Sequence, residues 1–120
     1  LSTLARHLAA SRPDRLWLIC AGTLENASFE DALGAGALVD RLLAQTGGPG
    51  AWAFDDSSQI AWDLYQRHRD HLPEAARNAR NGRRLLAQTA LAGDVPVCFE
   101  EDRNPRVVTL GEDGILRVLP

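Results

Sequence analysis

RLWLICAGTLENASFED, residues 15–31, decides how the chain is read. Residues 15–20 (RLWLIC) form a near-continuous apolar run, the mark of a strand covered on both faces. Residues 21–27 make a short loop, and a helix is expected from Ser28 to about Thr46. Its apolar positions include Phe29, Leu33, Leu38, Val39, Leu42 and Leu43. Gly47-Gly48-Pro49-Gly50 ends it, with glycine just past the last turn and proline after.

Helix capping alone accounts for part of this junction. Ser28 stands at the expected N-cap, where its hydroxyl can accept from amides two or three residues on. Asp31 follows three residues later, a shortened capping box. Glu30 and Asp31 fall in the first turn, where the helix dipole favours negative charge by roughly 0.3–1 kcal/mol each.

Three features point beyond a cap. The loop lies at the carboxyl end of the expected strand, a common ligand position in layered α/β folds. Gly22 permits close backbone approach and Thr23 offers a hydroxyl to a phosphate or an ion. Gly34 and Gly36 sit early in the helix at a cost of about 1 kcal/mol each relative to Ala, which calls for close packing. A bare phosphate would be repelled by Glu30 and Asp31. Two carboxylates with a hydroxyl and carbonyl oxygens suit a hard divalent cation, typically Mg²⁺, which in turn can hold an anionic substrate.

Outward from this stretch, residues 2–11 read as a short helix stopped by Pro13. Asp55 or Asp56 caps a helix running through IAWDLYQRH, Pro73 interrupts it, and another starts near His71 or Leu72. Residues 82–91 look helical, 95–100 and 106–110 strand-like, and 115–119 pairs back as a hairpin across Glu112-Asp113-Gly114. The order is that of one α/β layered domain with a mixed sheet.

Composition narrows the function classes. At 120 residues with 45% apolar and 24% charged residues, the chain is globular in type and long enough for a core. A net charge of −3 gives no basic field, so nucleic acid is not expected as a partner. No apolar run reaches bilayer-spanning length, so no membrane association is expected. Cys20 and Cys98 are too far apart for a zinc site or a disulfide framework; each reads as a small buried hydrophobe in a reducing, cytoplasmic setting. His68 and His71 read as polar helix surface, and Trp17, Trp52 and Trp62 as core or interface anchors. Met is absent even at position 1, from which a longer parent polypeptide is expected.

Cys20-Ala21-Gly22-Thr23, then Ser28-Phe29-Glu30-Asp31, then Ala35-Gly36-Ala37 and Val39-Asp40 resemble the central signature of the 2-phosphosulfolactate phosphatase family. GRRLL (82–86) and GDVPVCFEED (93–102) resemble its later Gly-Arg-x-Leu helix and D-V-x-x-C strand. Where the family's loop carries a Gly, this chain has Glu25-Asn26; where the family shows Ser and a His-like residue, it has Ala79 and Asn81.

The resemblance implies a cytoplasmic protein of three-layer α/β/α build with a mixed sheet, about twice this length. It implies Mg²⁺-dependent hydrolysis of 2-phosphosulfolactate to sulfolactate and phosphate, on the route to coenzyme M. On this reading Glu30, Asp31 and Cys20 are catalytic, and Glu30 and Asp31 hold the metal. Gly22, Thr23, Ser28 and Arg83 bind a small phosphate- and sulfonate-bearing substrate. The chain would be the carboxyl-terminal half, inactive without its amino-terminal half. A homo-oligomer is also open, as is a non-catalytic anion-binding or interaction domain derived from the family.

Overall fold

A computed structural model describes residues 1–119, and its elements follow from local chemistry. Helix α1 spans Ser2–Ser11 and α2 spans Phe29–Thr46, with Ser28 as N-cap and Gly47 closing the end at φ 94°. A 3₁₀ turn at Pro49–Ala51 leads to α3, Asp56–His68. Asp55 is its cap, its carboxylate accepting from the Ser58 N–H at 2.7 Å. Helix α4, Leu72–Asn78, carries Pro73 in its first turn, where a missing N–H costs nothing. Helix α5 spans Arg80–Leu86 and α6 spans Asp94–Cys98. Strands β1, Val108–Leu110, and β2, Leu116–Val118, form an antiparallel hairpin with Thr109 opposite Arg117.

The core lies where α2 meets α3 and α4, with α1 packed against α2. Leu33, Ala37, Tyr65, Leu72 and Ala75 form its buried cluster, with Leu1, Phe29, Leu64 and Phe99 packed around it. Gly36 sets the α2–α3 approach: a Cβ there would stand 2.0 Å from the Ala61 carbonyl oxygen. The packing role expected for this glycine is what the structure shows, whereas Gly34 has open space at its Cβ position.

The expected three-layer α/β/α build with a mixed sheet is overturned. Among the described residues there are six α-helices and one two-stranded antiparallel hairpin. Two segments account for this. Residues 95–100 were expected as a strand, but most of them lie in α6; Pro96 cannot donate to a ladder, and Val95 is buried among the helices. Residues 15–20 run without helix or strand, and no backbone group from 15 to 21 bonds to another backbone group among the described residues. Leu16 and Leu18 face inward beside α2, while Trp17 is 72% and Ile19 92% exposed. Residues 15–20 thus carry a buried strand's composition without the partner a strand requires.

Global dimensions agree. The radius of gyration is 15.4 Å, where a compact chain of this length has about 13.6 Å. The accessible surface is 8515 Å², about 2,000 Å² more than a compact monomer of this mass exposes. No helix is long and apolar enough to cross a membrane.

Candidate functional site

The loop between residues 20 and 28 is a tight reversal. Thr23 N–H donates to the Asn26 carbonyl at 2.9 Å, and Asn26 N–H returns to the Thr23 carbonyl at 3.1 Å. Leu24 and Glu25 between them have φ of 50° and 62°, the two-residue pattern of a type I′ turn. Such turns favour Asn and Gly, so two side-chain-bearing residues here are strained by about 1 kcal/mol each. Gly22, at φ 72°, lets the backbone pass Asn26, where an added Cβ would stand 2.6 Å from the Asn26 oxygen.

This turn is tied to the first turn of α2. Gly22 N–H donates to Asp31 Oδ2 at 2.7 Å, and the Cys20 thiol donates to the Asp31 carbonyl at 3.6 Å. From the other side α5 reaches in. The Asn81 side-chain amide donates to Thr23 Oγ1 at 2.7 Å and also to Glu30 Oε1, and Arg80 donates to the Thr23 carbonyl at 2.8 Å.

Burial works to raise the Glu30 pKa, but the Asn81 amide, Glu30's own backbone N–H, Ser28 and the Arg80 charge outweigh it. The carboxyl is held below its ordinary range. Ser28 contributes by proximity rather than by a well-formed bond: its hydroxyl caps nothing in α2 and is a buried polar atom without a partner.

Of the residues singled out from sequence, Cys20, Gly22, Thr23, Glu30 and Asp31 therefore meet at one junction, with Ser28 at the helix cap beside them. Arg83 does not join them. It is exposed, and its guanidinium donates to the Asn78 carbonyl at the end of α4. The two cysteines, expected to be buried, are both free and exposed. Asn81 and Arg80 are the functional candidates the sequence did not single out. The one signal for Asn81 was its departure from the family's residue.

The donor chemistry fits Mg²⁺ in kind: hard carboxylate oxygens and a hydroxyl. Glu30 gives one oxygen to Asn81 and Asp31 gives one to Gly22, which leaves each carboxylate a second oxygen. No cluster of three or more His, Cys, Asp or Glu that could hold a metal occurs among the described residues. Two carboxylates are what Mg²⁺ takes where water and substrate phosphate supply its other ligands.

Beside the junction opens a cavity of about 450 Å³. Its floor is apolar, with Leu33, Ala37, Leu72 and Val95, and its wall carries five carboxylates (Glu30, Asp31, Glu100, Glu101 and Asp102) and no arginine.

The sequence profile of the family described as 2-phosphosulpholactate phosphatase matches residues 1–113. Among curated proteins, one named "Probable 2-phosphosulfolactate phosphatase" from Synechococcus sp. (strain WH7803) is 35% identical over 117 residues, covering 97% of this chain and 46% of the relative. Proteins of the same name from Caldanaerobacter subterraneus subsp. tengcongensis and Deinococcus radiodurans are 30% and 31% identical, with 98% and 97% of this chain covered. The chain spans about half the length of these relatives, 46% and 48% in the last two. No solved structure matches it.

Proposed function

The chain belongs to the 2-phosphosulfolactate phosphatase family, and from that premise we propose that it supplies one part of a Mg²⁺-assisted site hydrolysing the phosphate ester of 2-phosphosulfolactate to sulfolactate and phosphate. The observation that carries this reading is the junction itself. Asp31 takes the Gly22 amide, and Asn81 joins the Glu30 carboxylate to the Thr23 hydroxyl on the same turn.

In this reading Glu30 and Asp31 would hold the ion, which would offset the charge of the phosphate. Gly22 N–H orients Asp31, and Asn81 keeps Glu30 ionised and turned toward Thr23. The Thr23 hydroxyl and the buried Ser28 hydroxyl stand ready as phosphate donors. Arg80 brings a positive charge to the loop; Arg83, whose guanidinium is turned to the Asn78 carbonyl, would have to leave it to meet a sulfonate. Cys20 steadies the first turn of α2 through the Asp31 carbonyl. The remaining groups come from the half of a family-length protein that this chain does not span, in the cytoplasm.

The test is phosphate release by a family-length protein carrying this segment. Glu30→Ala and Asp31→Ala are each expected to lower kcat by about 100-fold or more, and unchanged activity would sink the assignment. A second reading is a non-catalytic domain that binds an anion or a partner chain; its partner-chain form is favoured by one observation, that the adjoining cavity pairs an apolar floor with carboxylates, which repel phosphate. It predicts no turnover in the family-length protein.

A further inference from the structure

Residues 15–21 form neither helix nor strand, the side chains of 16–19 alternate in and out, and the backbone makes no backbone hydrogen bond among the described residues. Leu16 and Leu18 already sit beside α2, so the segment is held on one face while its backbone edge and its outer face, Trp17 and Ile19, remain open. Unpaired backbone beside apolar side chains of alternating direction is the template that strand addition requires.

We propose that residues 16–20 are a docking edge for an extended strand from the part of a family-length protein that this chain does not span. Two observations choose that occupant. The relatives are about twice as long as this chain, so the family carries a polypeptide of matching size outside it. The surplus surface of about 2,000 Å² is also what one side of a large obligate interface leaves bare when its partner is removed. The inference rests on family membership and half-length span. It stands whether or not the assembled protein hydrolyses a phosphate ester.

Docking there also bears on the loop. Cys20 ends the segment and bonds to Asp31, and Gly22 follows it and does the same. A strand fixed at 16–20 therefore fixes the approach of the loop to α2.

The test is amide hydrogen exchange on the 120-residue chain, alone and co-purified with the stretch of the Synechococcus sp. (strain WH7803) relative that it leaves uncovered. A single-chain version with a flexible linker guards against poor folding of the separate stretch. Alone, the amides of 16–20 exchange freely. In the assembly, alternate amides of that segment slow by at least about tenfold. Ile19→Pro leaves the melting of the lone chain unchanged, since Ile19 N–H has no backbone partner and its side chain is 92% exposed. The same change weakens the assembly by about tenfold or more. Assembly with 16–20 still exchanging freely overturns the proposal. So does no assembly in either format, or concentration-dependent protection in the lone chain, which would make a second copy the occupant. Because exchange reads docking and phosphate release reads chemistry, the two proposals fail separately.

Discussion

Helix α2 and residues 15–20 are neighbours in sequence and both mostly apolar, yet one supplies the core and the other leaves its largest side chains in water. Leu33, Ala37, Val39, Leu42 and Leu43 of α2 are buried, while Trp17 and Ile19 are not. Helices close their hydrogen bonds within their own span, so a helix needs a neighbour only for its apolar stripe, and α1 and α3 provide one. An extended segment needs a second segment for its backbone before its side chains count for anything. The hairpin repeats the point: β1 and β2 satisfy each other, but Leu110, Leu116 and Val118 stay exposed. Two strands alone are marginal in water.

Three measurements press on this contrast. The largest effect belongs to the helical body. Gly36→Ala forces a methyl into the Ala61 carbonyl and is expected to cost about 3 kcal/mol in denaturant unfolding. A loss below about 0.5 kcal/mol would mean that α2 and α3 are not held at that distance.

Next comes the junction, where body and loop meet. Asn81→Ala removes the amide shared by Thr23 and Glu30 and is expected to cost about 1 kcal/mol, kept low because Glu30 is only partly buried. The pH dependence has a definite sign. Glu30 is depressed in the folded state, so its contribution is present above the ordinary pKa of 4.5 and is lost as pH falls through the folded value. In the variant, an NMR titration should show the Glu30 pKa moving up and the acid limb of the stability curve flattening.

The smallest effect lies in the turn. Glu25→Gly relieves a positive φ and is expected to gain about 0.5 kcal/mol, since the strain removed slightly exceeds the entropy glycine adds to the unfolded chain. A loss of stability would show that Glu25 makes a contact worth more than its strain.

What could be read from sequence follows the same division. The bounds of α1, the end of α2 at Gly47 and the start of α4 were legible because caps, glycine and proline act within a few residues. The unpaired state of residues 15–20 was not legible, because apolar composition reports a need for burial, not whether the covering chain is present. Residues 95–100 were not legible as helix because a short apolar run suits strand and helix alike, and only Pro96 speaks against a strand. The hairpin was legible from its turn, though its strands are shorter than expected. At the site, the meeting of Cys20, Gly22, Thr23, Glu30 and Asp31 could be expected from their closeness in sequence. Asn81 could not, because it reaches Glu30 across 51 positions and no local pattern records that.

The placement of the three indoles gives the chain an optical reporter. Trp52 Nε1–H is bonded to Thr46 Oγ1 and Trp62 Nε1–H to Asp40 Oδ1, both half-buried on the helical body. Trp17 alone looks into water. With Trp52 and Trp62 replaced by Phe, the remaining fluorescence comes from a single ring on the open face of residues 15–20. Its emission colour and its quenching by dissolved iodide then tell, without any added label, when that face is covered.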